Sequence, residues 1–142
     1  MPAEILSVCM EQKVILLTKI LDLSKQIEVK CKQETVLLED LPEKRMCLLK
    51  RIEKCDALVK NALSELPLNE KERLSLIMAA KTDGFELSGG EKLLAGLAKR
   101  SISLSSEIVR LNNNSIRTLS RARESLLKSG NLRNKFNPAK AY

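Results

Sequence analysis

Apolar residues recur along the first third of the chain at alternating steps of three and four. Positions 6, 9, 13, 16, 20, 23 and 27 follow this spacing, and all of them except Lys13 are apolar. A second apolar stripe lies beside them at positions 10, 14, 17 and 21. This spacing is typical of an amphipathic helix whose wide apolar face contacts more than one neighbour. No glycine or proline interrupts residues 3–38, so the pattern predicts one long helix over that range.

A second helix is predicted after Asp40, which could cap it, with Glu43 three residues later and Pro42 in the first turn. Pro67 ends it. Its apolar seam has steps of four and three, as in a coiled coil. The seam consists of Leu48, Ile52, Cys55, Val59, Ala62 and Leu66. A single helix over residues 3–66, kinked at Pro42, is the alternative interpretation.

Two further helices complete the predicted fold. Asn69 could cap a short helix that ends near Lys81, before a stop signal at Gly84. The last helix should run over residues 89–128 and end at Gly130. We therefore predict an all-α fold, an elongated antiparallel bundle of three long helices and one short helix with coiled-coil-like packing.

The predicted bundle domain covers residues 1–130, and residues 131–142 are predicted to be a flexible basic tail. Within the last helix, three asparagines at residues 112–114 should weaken helix formation locally, because asparagine side chains compete for backbone hydrogen bonds. Two interpretations stay open. The segment is either a bend at the surface or a stretch that rearranges around a partner.

The stretch "ELSGGEK" at residues 86–92 is similar to the signature loop of ABC ATPases. An ATPase also needs a phosphate-binding G-x-x-x-x-G-K-[ST] loop, and the sequence contains none. Ser88 and Glu91 instead match a capping box, with Ser88 as the N-cap of the last helix. We therefore interpret this motif as a helix start rather than a nucleotide site.

Composition argues against catalysis. The chain has no histidine, which removes the commonest general base and zinc ligand, and its four cysteines form no C-x-x-C pair. We expect no cofactor, no metal, no small-molecule substrate and no enzymatic activity. The N-terminus lacks the pattern of a signal peptide, and no apolar run is long enough for a membrane span. These features predict a cytoplasmic protein whose cysteines are reduced and mostly buried.

The charge is concentrated at one end. Residues 98–142 carry 10 basic and 2 acidic residues, whereas residues 1–97 carry 15 basic and 16 acidic residues. A basic segment of this kind attracts an acidic protein, a nucleic acid or a membrane surface. Nucleic acid is the less favoured partner, because only Phe136 and Tyr142 offer aromatic stacking nearby.

Two segments stand out for their pattern of acidic residues, leucine pairs and asparagines. The first is "ETVLLEDLPEKRMCLLKRI" at residues 34–52, and the second is "EIVRLNNNSIRTLSRARESLL" at residues 107–127. Both resemble segments of the FlgN family of flagellar type III export chaperones. The chain also has the family's length, its helical composition and its scarcity of aromatic residues. It departs from the family at its end, which reads "KFNPAKAY" rather than a Tyr-Gly-x-x-Gly-like tail.

The resemblance implies a chaperone that binds hook–filament junction (hook-associated) proteins in the cytoplasm and delivers them to the export apparatus. The C-terminal helix would bind the client's amphipathic segment. Onto this sequence the resemblance carries six partner-binding residues: Leu111, Asn112, Ile116, Leu119, Leu126 and Leu127. Two alternatives remain, a coiled-coil scaffold that forms homo-oligomers through the same stripes and a basic nucleic-acid-binding protein.

Overall fold

The structure, a computed structural model, describes residues 2–136, with side chains for residues 2–128. It contains four helices, and no strand occurs within residues 2–136. The all-α class predicted from the sequence is confirmed. The helices are α1 (Pro2–Cys31), α2 (Leu41–Ser64), α3 (Leu68–Met78) and α4 (Gly89–Phe136). Residues 137–142, the end of the predicted tail, lie outside the described part of the chain.

Helix α1 ends earlier than its apolar pattern predicts. It stops at Cys31 rather than near residue 38, and residues 32–40 form a non-helical connection. Glu39 in this connection has a positive φ of 54°, which no right-handed helix contains. The alternative of one helix kinked at Pro42 is therefore wrong.

The early end of α1 has a cause in the packing. Leu38 and Leu41 fold back onto Ile27 and Cys31 and form an apolar cluster with them. These side chains could not meet if the helix continued, because a straight helix carries successive turns away from each other. Here tertiary burial overrides a local preference for helix.

Two of the three predicted helix caps make no side-chain cap bond, although Asp40 does occupy the N-cap position of α2. Asp40 precedes α2 but makes no side-chain cap bond, because its φ of −99° and ψ of 8° differ from the extended conformation of an N-cap residue. Helix α3 begins at Leu68 directly after Pro67, so Asn69 lies inside the first turn.

The third cap, at the start of α4, is confirmed. The backbone N–H of Glu91 donates to Oγ of Ser88 at 3.3 Å, and the N–H of Ser88 donates to Oε1 of Glu91 at 3.0 Å. This reciprocal pair is the capping box that the sequence predicts. The "ELSGGEK" stretch therefore starts a helix in this structure.

The ends of α3 and α4 also differ from the predictions. Helix α3 stops at Met78 rather than near Lys81, and the loop that follows contains Gly84 with a φ of 80°. Helix α4 does not end at Gly130 but continues to Phe136. A single glycine lowers helix stability by only about 1 kcal/mol, which does not terminate a helix of this length.

The core consists of three apolar clusters that follow one another along α1. The first joins the start of α1 to α3 and the start of α4, and the second joins the middle of α1 to α2 and α4. The third closes the end of α1 against the start of α2. The fully buried side chains at the cluster centres include Leu6, Ile20, Ile77 and Leu94.

The clusters fix the direction of each helix. Along α1, the contacts move up α4 from Leu94 to Ile108, so these two helices run parallel. They move down α2, from Val59 to Ile52 and then Leu41, so α1 and α2 run antiparallel. Helix α3 and its loop return the chain to the starting end before α4 begins.

The predicted apolar seam of α2 faces the core. Each of its six positions belongs to, or packs against, one of the first two clusters. Only Ile52 is buried, because α2 contacts α1 along a single side and leaves the rest of its surface to solvent.

A polar network ties α3 to the start of α4. Arg73 donates from Nε to Oε2 of Glu91 at 2.7 Å and from Nη2 to Oε1 at 3.1 Å. The same guanidinium donates to the carbonyl of Glu86 at 2.6 Å and lies 5.4 Å from the centre of the Phe85 ring. The hydrogen bonds from Arg73, and then from the N–H of Ser88, lower the pKa of Glu91 from 4.5 to about 2.

We expect the variant Glu91→Gln to lose about 1–2 kcal/mol of unfolding free energy at neutral pH, after allowance for the partly exposed arginine. Because the folded-state pKa is depressed, this stabilisation is present above the unfolded pKa of 4.5 and is lost as the pH falls towards 2. Urea unfolding at neutral pH and at about pH 2 measures both effects.

Glu72→Gln, which alters an exposed carboxylate on α3, is the matched control and should change stability by less than about 0.5 kcal/mol. If the difference between wild type and Glu91→Gln stayed constant down to about pH 2, the ionised pair with Arg73 would not be its source.

Candidate partner-binding surface

Helix α4 extends beyond the helices that pack against it. Its apolar stripe is buried as far as Leu111 and Ser115, which lie level with the end of α1 at Cys31. Beyond that point, α1 no longer covers the stripe. The segment from residue 116 to residue 136, which we call the free end of α4, is about 31 Å long at 1.5 Å per residue.

The free end keeps the apolar periodicity of a packed helix. Its large apolar side chains are between 37% and 73% exposed, in contrast to the buried stripe earlier in the helix, which Leu119 and Leu126 continue. These side chains are Ile116, Leu119, Leu126 and Leu127. A long row of apolar residues with no covering helix is characteristic of a surface that binds another polypeptide.

Two of the six sequence-predicted partner residues lie on α4 but before its free end. Leu111 is buried within the chain, and Asn112 is half-buried and accepts a hydrogen bond from Arg45 at 2.7 Å. The sequence pattern could not separate them from the other four, because the boundary depends on where α1 ends. The other four residues share the accessible surface of the free end.

The asparagine run marks the point where α4 leaves the bundle. Nη1 of Arg45 on α2 donates to Oδ1 of Asn112 and lies 3.4 Å from Oγ of Ser24 on α1. One guanidinium therefore joins three helices at this level. The run is helical throughout, and one of its asparagines, Asn112, accepts a hydrogen bond from another helix. Whether the segment rearranges around a partner stays a prediction.

The described side chains of the free end carry a strong positive charge. Arg117, Arg121, Arg123 and Lys128 are exposed, and Glu124 is the one acidic residue between residues 116 and 128. Apolar and basic positions thus share the same four turns of helix. Such a surface favours a partner that is both amphipathic and acidic.

A second row of exposed apolar residues was missed by the sequence analysis. Ile102 and Val109 are 46% and 56% exposed, although both lie alongside the bundle. With Ile116 they are spaced by seven residues, which places them on one side of the helix. That seven-residue spacing was the available signal, but it lay next to a stronger stripe that leads into the core.

The chemistry of the described side chains adds little to this surface. No group of three or more potential metal ligands occurs among them. Cys31 is buried, Cys9 and Cys55 are half-buried and Cys47 is exposed, so the expectation of mostly buried cysteines is met only in part. Burial raises the pKa of the Cys31 and Cys55 thiols. Among residues 2–136, no helix is apolar over a sufficient length to cross a membrane.

Comparison with known proteins leaves the family open. No family model, curated protein or solved structure matches this chain. The features that bear on function are therefore the surface of α4 and the resemblance of the two sequence segments.

Proposed function

We propose that this chain is a non-enzymatic export chaperone that acts in the cytoplasm and binds hook–filament junction proteins before their type III secretion. The observation that carries the proposal is the free end of α4, where Ile116, Leu119, Leu126 and Leu127 are exposed and no other helix of residues 2–136 covers them. The bundle would hold this helix out, and a client segment would cover its apolar residues.

The client's binding segment would be an amphipathic helix. A helix that lies along another helix reads apolar positions at steps of three and four, which is the spacing that the free end presents. A client segment that is disordered before binding loses conformational entropy on docking, so the affinity should be moderate. Moderate affinity suits a chaperone, because the client must later be released to the export apparatus.

The charge of the free end would assist capture. Four exposed basic side chains against one acidic side chain would speed the approach of an acidic client and make binding sensitive to salt. The resemblance of residues 107–127 to the FlgN family supports the same segment as the client-binding region. We further propose that the bundle is elongated and that α2 packs on α1 in a coiled-coil-like manner, since its seam alternates steps of four and three.

The proposal is tested by isothermal titration of the full chain with purified hook–filament junction proteins. We expect one client per chain, a dissociation constant on the order of 1–10 μM, and weaker binding between about 50 mM and about 300 mM salt. Titration of a random-sequence DNA duplex and sedimentation of the chain alone test the two alternatives.

Absence of client binding would overturn the proposal. Tight, salt-dependent binding to the DNA duplex would then favour the nucleic-acid alternative. Self-association that is lost on replacing Leu119 by aspartate would favour the scaffold alternative.

A further inference from the structure

We propose that the docking surface on α4 does not stop at the free end but continues along the bundle to Ile102, and that it seats one acidic amphipathic helix of a partner protein. This inference rests on the proposed function, because it describes how much of the chain the client covers. It adds a second contact region, on residues that the sequence analysis did not identify.

Exposed apolar residues are aligned along one side of α4. Ile102, Val109 and Ile116 follow one another at intervals of seven residues, and seven residues are two turns of helix with a drift of only about 20°. All three have large apolar side chains that are about half exposed or more. Leu127, 18 residues or five helical turns after Val109, continues the same row on the free end.

Part of this row lies level with an exposed residue of α2. Val109 lies one turn from Asn112 on α4, and Leu49 lies one turn from Arg45 on α2. Because Arg45 donates to Asn112 and the two helices run in opposite directions, Leu49 and Val109 lie on the same side of that bridge. Leu49 is 37% exposed, so an accessible apolar side chain of α2 lies level with Val109 along the bundle.

The length of the row matches that of one helix. The row from Ile102 to Leu127 spans about 38 Å, or seven helical turns. A single partner helix of about 25 residues matches this span. The part of the row on the free end, from Ile116 to Leu127, is about 17 Å long and would take about half of such a helix, so the extension accounts for the apolar residues on both segments with one occupant.

Charged side chains are distributed unevenly along the row. Arg117 and Arg123 flank the row on the free end, whereas near the bundle Arg110 pairs with Glu107 on α4 and Lys13 pairs with Asp56. Within the span of the row, residues 102–127, the excess positive charge is therefore at the free end, and Lys99 and Arg100 lie just before this span. A fitting partner helix carries its acidic residues in the half that meets the free end. Two copies of this chain paired side by side there would bring like charges together, which disfavours a homodimer through this surface.

The test compares aspartate substitutions at both ends of the surface, with binding of the purified hook–filament junction protein measured by titration. Ile102→Asp and Val109→Asp should each weaken binding about tenfold, through lost apolar burial. Ser103→Asp, an exposed position about 100° or more around the helix from Ile102 and Val109, is the matched control and should change binding less than about twofold. Val109→Ser replaces Val109→Asp if the aspartate variant does not fold.

A charge reversal tests the orientation of the partner. The double variant Arg117→Glu/Arg123→Glu should bind at least tenfold more weakly at low salt and show a smaller salt dependence than wild type. If binding is insensitive to this reversal, the partner helix does not carry its acidic half at the free end and the proposed occupant is wrong.

The outcomes separate this inference from the proposed function. Weakening by both Val109→Asp and Leu119→Asp supports the extended surface. Weakening by Leu119→Asp alone leaves the proposed function intact and overturns the extension. Wild-type protein that binds random-sequence DNA but not the client overturns both proposals.

Discussion

Replacing both Leu119 and Leu126 by aspartate is expected to weaken client binding at least about 100-fold. Burying one leucine side chain contributes roughly 1.5–3 kcal/mol, and each 1.4 kcal/mol is a tenfold change in affinity, so burial of both leucines contributes about 3–6 kcal/mol and exceeds the ~2.8 kcal/mol of a 100-fold change. Two added negative charges would also repel an acidic client.

The same double variant should keep the stability of the wild type. Leu119 and Leu126 lie on the free end of α4, outside the three apolar clusters of the core. Titration with a purified hook–filament junction protein measures the binding, and thermal unfolding followed by circular dichroism measures the stability.

The matched control is Leu58→Asp on the outer side of α2, where the leucine is also largely exposed. It should bind the client as well as wild type does. If the double variant and the control bound equally well, the free end would not be the client-binding surface, whatever the client.

The second large effect concerns the core. Ile20→Ala should lower the unfolding free energy by about 3–4 kcal/mol, because Ile20 is fully buried in the cluster that joins α1, α2 and α4. The truncation removes apolar contacts and leaves a cavity among side chains that belong to three helices. Urea unfolding of the two proteins at neutral pH measures the difference.

Ile15→Ala provides the comparison within the same helix. Ile15 is 48% exposed and belongs to none of the three clusters, so its truncation should cost less than about 1 kcal/mol. Equal losses at the two positions would contradict the assignment of the core face of α1.

Much of the fold could be predicted from periodicity, because the stripes that bury α1 and α2 are long and regular. The ends of helices were harder. Residues 32–38 contain no helix breaker, and α1 stops only because Leu38 and Leu41 must reach Ile27, a contact between residues in different elements. Local sequence does not encode that contact, so no local rule could place the end at Cys31.

The candidate surface was predictable in part for the same reason. The stripe on α4 was visible in the sequence, but its division into a packed and an exposed part depends on the length of α1 and on α4 running parallel to it. Leu111 falls on the packed side of that division and Leu119 on the exposed side. The Arg45–Asn112 hydrogen bond, between residues 67 positions apart, lies beyond any periodic pattern.

The parallel pairing of α1 and α4 bears on how the chain folds during synthesis. Helices α1 and α2 are neighbours in sequence and can associate as soon as both have left the ribosome. The side of α1 that packs on α4 must wait for residues 94–108, more than 80 positions later. At about 5–20 residues per second this delay is roughly 4–17 s, during which that side of α1 lacks its α4 partner on the nascent protein.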